Sequence, residues 1–461
     1  MAKISNLVWI KRDHFSQTQY DLLKRDLTIV PKQLGRGDET PDREIESFIE
    51  NEEEIGIPFA YFDAQFPDME IVSEELSDGH SIEVKRLPDP THPKSPPNQK
   101  EFFDGVLEAL KSHYTVLAVA PTGSGKTVCL LNSIGTLGRS AMVVVPSAVL
   151  ADQWRQEAML HLGLEWSDIG VLQGNSDNWR GKKMVIAVIH NLFLKQWPED
   201  FYKNFGFLAW DECHRLGGEV FSKTMSMFNS RFRISVTATP NRKDGCDLLY
   251  KYYFGSPLVV AKSKALACDC YVLPFKHIGD KHKWIQKCKM DAKPMQWLSK
   301  LSVRNETIVR LAKSLYDDGY QILILSKFIE HVETIISMLE KSGVPKEDLG
   351  QFTRSTSTNK KFGAGMLDKV KKEAKIIVAT YSMMKEGVDI PRLDAGIEAL
   401  PSADNVQAIG RIRRPLPNKR RPKWFSILDL RIPLFEAYTK CALRGFENAN
   451  VTIKHLNEGS I

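Results

Sequence analysis

The sequence predicts an α/β protein: two tandem domains with parallel sheets, preceded by a small α+β segment at the N-terminus. Three observations carry this. The chain has 461 residues, too many for one ordinary core. From Gln99 onward, short apolar runs rich in β-branched residues alternate with helix-length segments, the pattern of strands buried on both faces of a parallel sheet. That rhythm runs through "TVLAVA", "AMVVVP", "KMVIAVI", "FGFLAWD" and "FRISVTATP", then restarts with "YQILILS", "AKIIVATY", "DAGIEALP" and "KWFSILDL".

The segment before Pro97 has a different character. "SQTQYDLLKRDLTIV" reads as a short amphipathic helix running into a strand. In "DETPDREIESFIENEEE", Thr40 is placed to cap a helix, Pro41 to open it and the acids to fill its first turn. "RLPDPTHPKSPPNQ" holds five prolines, too many for a regular element, and reads as a linker. With a second join near "YYFGSPLVVAKSKALACDCYV", the expected domains are 1–93, 94–262 and 263–461.

Composition narrows the class. Hydrophobic residues make up 43% and charged residues 26%, the profile of a globular chain. No apolar run approaches the length of a membrane span, and the N-terminus lacks a signal-peptide core. Seven scattered cysteines point to reduced thiols in a cytoplasmic compartment. The net charge of +6, from 63 basic and 57 acidic residues, is consistent with a polyanionic partner without demonstrating one.

"APTGSGKT" at 120–127 follows an apolar strand and fits a phosphate-binding loop, except that Ala120 stands where a glycine is usual. Backbone N–H groups of Thr122, Gly123, Ser124 and Gly125 and of the following helix would cradle phosphates. Lys126 would pair with the β and γ oxygens of ATP, and the Thr127 hydroxyl would ligate magnesium. In "FLAWDECHR", Asp211 and Glu212 end a strand, at the edge where open α/β sheets bind ligands. Asp211 is suited to hold magnesium and Glu212 to deprotonate an attacking water.

"APTGSGKT", "DECH", "SVTATP" and "QAIGRIRRP" together resemble the superfamily-two helicases and translocases in order and spacing, from about Gln99 to about Leu430. The resemblance implies two RecA-like domains and an ATP- and magnesium-dependent motor. It implies an adenine-reading role for Gln99 and coupling roles for His214, Thr237 and Thr239. Gly387 and Asp389 in "TYSMMKEGVDIP" would lie beside the ribose and γ-phosphate. Gln407, Gly410, Arg411 and Arg414 match the final motif, whose arginines act as fingers reaching the nucleotide from the other domain. Arg420, Arg421 and Lys423 are expected to face solvent.

A motor of this kind needs a polymer track, and the resemblance places the contacts in loops after strands. Ser147, His190, Ser326 and Thr380 are the candidates, holding phosphates without reading bases. "DECH" and "ATPNRKDG" resemble the branch holding XPB-type unwinding factors and phage branch-migration helicases. Arg242, Lys243 and Asp244 resemble that branch's Arg-Glu-Asp element, with Lys243 replacing the glutamate. The implied activity is unwinding or branch migration of forked and junction DNA in replication, recombination or repair. Replication or recombination proteins would be further partners of a monomer, in the host-cell cytoplasm if phage-encoded. An RNA-directed or transcript-releasing ATPase, a duplex translocase and a binding module with an inactive core are the alternatives.

Other signals are weaker. Lys3, Lys11, Arg12, Lys24, Arg25 and Lys32 could form a small basic surface on the N-terminal segment. Cys268, Cys270, His277, His282 and Cys288 fit no common zinc spacing, and "CDCYVLPF" alternates like a strand. Trp154, Trp179, Trp197 and Trp210 read as core residues. Cys213 sits beside the carboxylates without a nucleophile's role.

Overall fold

The computed structural model describes residues 1–31, 44–92, 98–121, 124–174, 176–213, 218–238, 240–242, 244–255, 259–261, 265–276, 292–353, 370, 372–385, 390–403, 405–416 and 418–457. The chain divides into two units, Met1–Ser263 and Lys264–Ile461.

Unit 1 opens with β1 (Ala2–Ile4), β2 (Val8–Lys11), α1 (Gln17–Leu27), β3 (Thr28–Ile29), β4 (Ile45–Glu46), β5 (Ile49–Glu50), β6 (Glu54–Ile57), α2 (Phe59–Gln65) and β7 (Ile71–Glu74). Five of the strands form a sheet in the order β5-β6-β2-β1-β7, and β3 pairs with β4. A reciprocal Ser16–Gln19 capping box starts α1, which buries Tyr20, Leu23 and Leu27. The helix expected after Thr40 is not found where residues are described: 44–57 form β4, β5 and β6. Buried Ile45, Ile55 and Ile57 pair across ladders there, and pairing overrides the local capping signal.

The rest of unit 1 is β8 (Thr115–Val119), β9 (Ala141–Val145), β10 (Ile169–Gln173), β11 (Ser176–Asp177), β12 (Met184–Val188), β13 (Phe207–Asp211), β14 (Phe232–Thr237) and β15 (Val259–Val260). They form one sheet in the order β11-β10-β12-β9-β13-β14-β8-β15, parallel except where β11 turns back on β10. Side chains alternate between two cores. Val116, Ala118, Val143, Val145 and Ala209 face the layer of α3 (Gln99–His113), α4 (Lys126–Leu137) and α5 (Ala148–Leu162). Leu117, Met142, Val144, Leu208 and Trp210 face the opposite core. This two-sided burial is why the strands read as continuous apolar runs.

The N-terminal segment is built into unit 1. Arg233 of β14 is buried and donates to the carbonyls of Asn6 (3.2 Å), Ser5 (2.8 Å), Phe228 (3.1 Å) and Ser230 (2.9 Å). Its guanidinium also lies 4.1 Å from the Phe59 ring centroid. The first part of the proline-rich linker packs rather than hanging free. Leu87 lies against Gly135 of α4, and Asn132 donates to Pro88 O at 3.0 Å.

Unit 2 carries β16 (Asp269–Lys276), β17 (Ile322–Ser326), β18 (Leu349–Phe352), β19 (Ile376–Thr380), β20 (Ala395–Glu398), β21 (Lys423–Leu430) and β22 (Thr452–His455). Their order is β18-β19-β17-β20-β21-β16-β22, parallel throughout. Cys268 and Cys270 are buried at the start of β16, while His277, His282 and Cys288 lie outside the described residues.

Candidate functional site

Sheet order decides what meets at the carboxyl edge of unit 1. β14 lies between β8 and β13, so the loop after β8, Thr237 and the Asp211–Glu212 pair end side by side. Ala120 N donates to Thr237 O at 2.9 Å, tying the loop to β14. Ser124 Oγ donates to Pro121 O at 2.7 Å. Gly125 has φ +88°, and a Cβ there would stand 2.1 Å from Nε2 of buried Gln99. Handedness and space both demand glycine at this position. Gln99, at the start of α3, thereby lies against the loop. Among the described residues no side chain caps α4, so its leading N–H groups suit an anion.

Across this edge Lys126 Nζ lies 3.1 Å from Glu212 Oε1, the two side chains being 10% and 15% exposed. Glu212 leaves β13 with φ +53°, a left-handed conformation that L-residues seldom adopt. That turn brings the carboxylate toward the loop lysine instead of continuing the strand. Asp211 is buried and its Oδ2 accepts the indole N–H of Trp154 at 2.9 Å. Burial pushes the Cys213 thiol up to about 12, so it is protonated at neutral pH and no nucleophile. An uncapped helix N-terminus, a lysine, the Thr127 hydroxyl in the first turn and two carboxylates form a donor set that fits a magnesium–triphosphate.

Several expected residues fall elsewhere. Thr122, Gly123, His214, Thr239, Lys243, Gly387, Asp389 and the Gln407 side chain lie outside the described residues. Thr237 is buried at the end of β14. Ser147 and His190 stand at the carboxyl ends of neighbouring β9 and β12; His190 is exposed, and Ser147 Oγ caps α5 by accepting Leu150 N at 3.4 Å. Ser326 and Thr380 likewise end neighbouring β17 and β19. Ser326 is corrected: its hydroxyl is fully buried, 2.9 Å from His331 Nδ1, and holds the interior rather than a phosphate. Thr380 is also buried, its hydroxyl 3.2 Å from that of Ser382.

Arg242 is half-buried within its own turn. It binds Asp244 through two bonds of 2.9 and 2.6 Å, and Asp244 also accepts Cys246 N at 3.1 Å. The arginine holds the Asp244 carboxyl down at about 2 and closes the turn before the helix Asp247–Phe254. On the N-terminal segment Lys11 and Arg25 are exposed, and three other basic residues are partly neutralised by acids. Lys3 pairs with Glu54 at 3.1 Å, while Arg12 and Lys24 pair with Glu50 at 3.3 and 2.6 Å; Lys32 lies outside the described residues. In unit 2, Arg411 is buried on the helix Val406–Ile412, and burial lowers Arg414 to about 10, still cationic at neutral pH. Arg420 and Arg421 are exposed and Lys423 half-buried. Arg413 instead braces the fold, donating to Leu266 O at 2.9 Å and Ala449 O at 2.8 Å.

Trp154 is the site residue that sequence reasoning missed, because a tryptophan on an apolar helix face carries no mark of its acceptor. Comparison with known proteins now adds to the geometry. Residues 93–242 match the family model described as type III restriction enzyme, res subunit. A protein of Acanthamoeba polyphaga mimivirus, L396, named as an ATP-dependent RNA helicase, is 24% identical over 94% of this chain and 82% of its own length. The DNA 3'-5' translocase XPB2 of Sulfurisphaera tokodaii is 32% identical over 38% of this chain and 39% of that protein. D10 of Escherichia phage T5, named as a helicase, is 24% identical over 65% of this chain and 64% of its own. The DEAD-box helicase Mss116, solved with single-stranded RNA and UDP-BeF, shares the fold at a TM-score of 0.54 and 16% identity, covering 80% of this chain and 76% of that one. The two α/β units are thus tandem RecA-like domains, and the chain is similar to superfamily-two helicases and translocases, XPB-type and phage-type proteins among them.

Proposed function

We propose that the chain hydrolyses ATP with magnesium at the carboxyl edge of unit 1 and uses the cycle to unwind or branch-migrate forked and junction DNA. The observation that supports this most is the meeting of Lys126 and Glu212, 86 positions apart, at 3.1 Å beside a glycine loop and an uncapped helix N-terminus. Lys126 and the leading N–H groups of α4 hold the β- and γ-phosphoryl oxygens. Thr127 and Asp211 would hold magnesium, which would supply charge neutralisation at the phosphates. Glu212 accepts the proton of the attacking water. Arg411 and Arg414, by their resemblance to finger arginines, stabilise charge developing on the γ-phosphoryl group.

DNA as the track draws on the XPB2 and phage relatives, and host-cell interior as the place of action on the viral ones. A second reading, an RNA-directed ATPase, is favoured by the name of L396, whose match spans nearly the whole chain. Phosphate contacts do not separate the two polymers; a 2′-hydroxyl contact would. Steady-state ATP turnover with single-stranded, duplex and forked DNA and with RNA tests the choice. Strongest stimulation by forked DNA is expected, and stimulation by RNA alone would transfer the proposal to the second reading.

A further inference from the structure

We propose that Trp154 is a positioning residue for Asp211: its indole N–H binds Oδ2 and so sets the orientation in which the carboxylate would meet magnesium. This rests on reading unit 1 as a magnesium–nucleotide site. Three independent features converge on the contact. Alternation along β13 puts Asp211 on the same face as Phe207 and Ala209, toward the α3–α4–α5 layer. On α5, Leu150, Trp154, Ala158 and Leu162 form one buried stripe at intervals of four, aimed at that sheet face. Within an otherwise apolar layer the indole N–H needs an acceptor, and Asp211 Oδ2 stands at 2.9 Å.

The chemistry asks for such a partner. An aspartate's terminal torsion is soft and roughly two-fold, so burial alone does not choose which oxygen faces a ligand. A neutral donor fixes it without bringing a second cation beside the metal, and a donor bond to a carboxylate is among the stronger hydrogen bonds. Phenylalanine would fill most of the same volume and leave Oδ2, on a residue only 5% exposed, without that donor. Groups that orient a metal ligand from behind typically govern metal affinity by about 10–100-fold.

The test is calorimetric titration of the full chain with ADP across a series of magnesium concentrations, which needs no turnover. Trp154→Phe is expected to bind ADP without magnesium as the wild type does, while the magnesium concentration for half-maximal enhancement rises about ten-fold. Leu150→Ala, on the same stripe, controls for packing: it should lower the melting temperature and leave the magnesium midpoint in place. An unchanged midpoint in folded Trp154→Phe, or an equal shift in Leu150→Ala, overturns the proposal. A wild type whose ADP binding ignores magnesium would instead overturn the underlying reading of the site. Should Trp154→Phe not fold, the intact chain answers by NMR. Magnesium with ADP must then move the Trp154 indole N–H resonance in the wild type and not in Asp211→Asn; no movement in the wild type overturns the proposal.

Discussion

Two buried groups of unit 2 should give stability opposite slopes with pH. His331 bridges Ser326 and Asn305 at 2.9 Å each; burial, with the Arg304 charge adding to it, lowers the ring from 6.5 to about 3. Glu398 accepts Ser402 N at 2.8 Å, Asn405 Nδ2 at 2.5 Å and Ser426 Oγ at 2.9 Å, yet burial raises it from 4.5 to about 7. For His331 the unfolded chain binds the extra proton, so its contribution is present above pH 6.5 and lost as pH falls toward 3. For Glu398 the folded chain binds it, so the contribution is present below pH 4.5 and lost as pH rises through about 7. Between these values the two oppose, each by at most about 1.4 kcal/mol per pH unit. Relative to wild type, His331→Gln should therefore lose stability more steeply from pH 5 to 6.5, and Glu398→Gln should gain it. Urea unfolding at both pH values checks this, and parallel slopes in all three proteins would refute it. Residues like these are the least legible in sequence. Glu398 ends an apolar strand just as Asp211 does, and only three-dimensional packing shows that one is enclosed by donors while the other ends beside the glycine loop.

At the scale of elements, the N-terminal sheet belongs to the architecture of unit 1. Arg233 joins β14 to the turn between β1 and β2 through two carbonyl bonds, with two more to the segment just before β14, and burial lowers it to about 9. Arg233→Met would keep the bulk but leave buried carbonyls without donors, at about 1–3 kcal/mol for each group that finds no substitute. A drop of several degrees in the melting temperature of unit 1 is expected, with protease cleavage appearing first before Glu75. Unaltered melting would show that the N-terminal sheet is not latched through this residue. Bridges from Ser77 to Ser230, Gly79 to Phe205 and Ser81 to Arg139 continue the attachment. A fragment beginning at residue 94 should accordingly be insoluble. The strands of both large sheets were readable because they are buried on two faces, whatever packs against them. The strands at 45–57 were not, since two-residue and four-residue pairings depend on partners far along the chain, and proline and acids there mimic a helix start.

For the whole molecule, the two RecA-like units explain why one set of motifs sits near residue 126 and another near residue 411. Unit 1 holds the loop, the carboxylates and Gln99, and these were legible because each chemical group must occupy its own position in a short motif. Arg411 and Arg414 lie in unit 2, and in the proposed mechanism a finger role for them makes turnover depend on both units. Arg414→Ala is expected to cut ATP turnover by about 10³–10⁵ while nucleotide affinity changes little; comparable loss of both in a folded variant would count against the role. The central claim, that Glu212 activates water at a nucleotide site with Lys126, is tested most directly by Glu212→Gln. Single-turnover hydrolysis and ATP binding should be measured on the same preparation. The expected result is binding within a few-fold of wild type with hydrolysis slowed by about 10²–10⁴; hydrolysis at the wild-type rate would contradict the account.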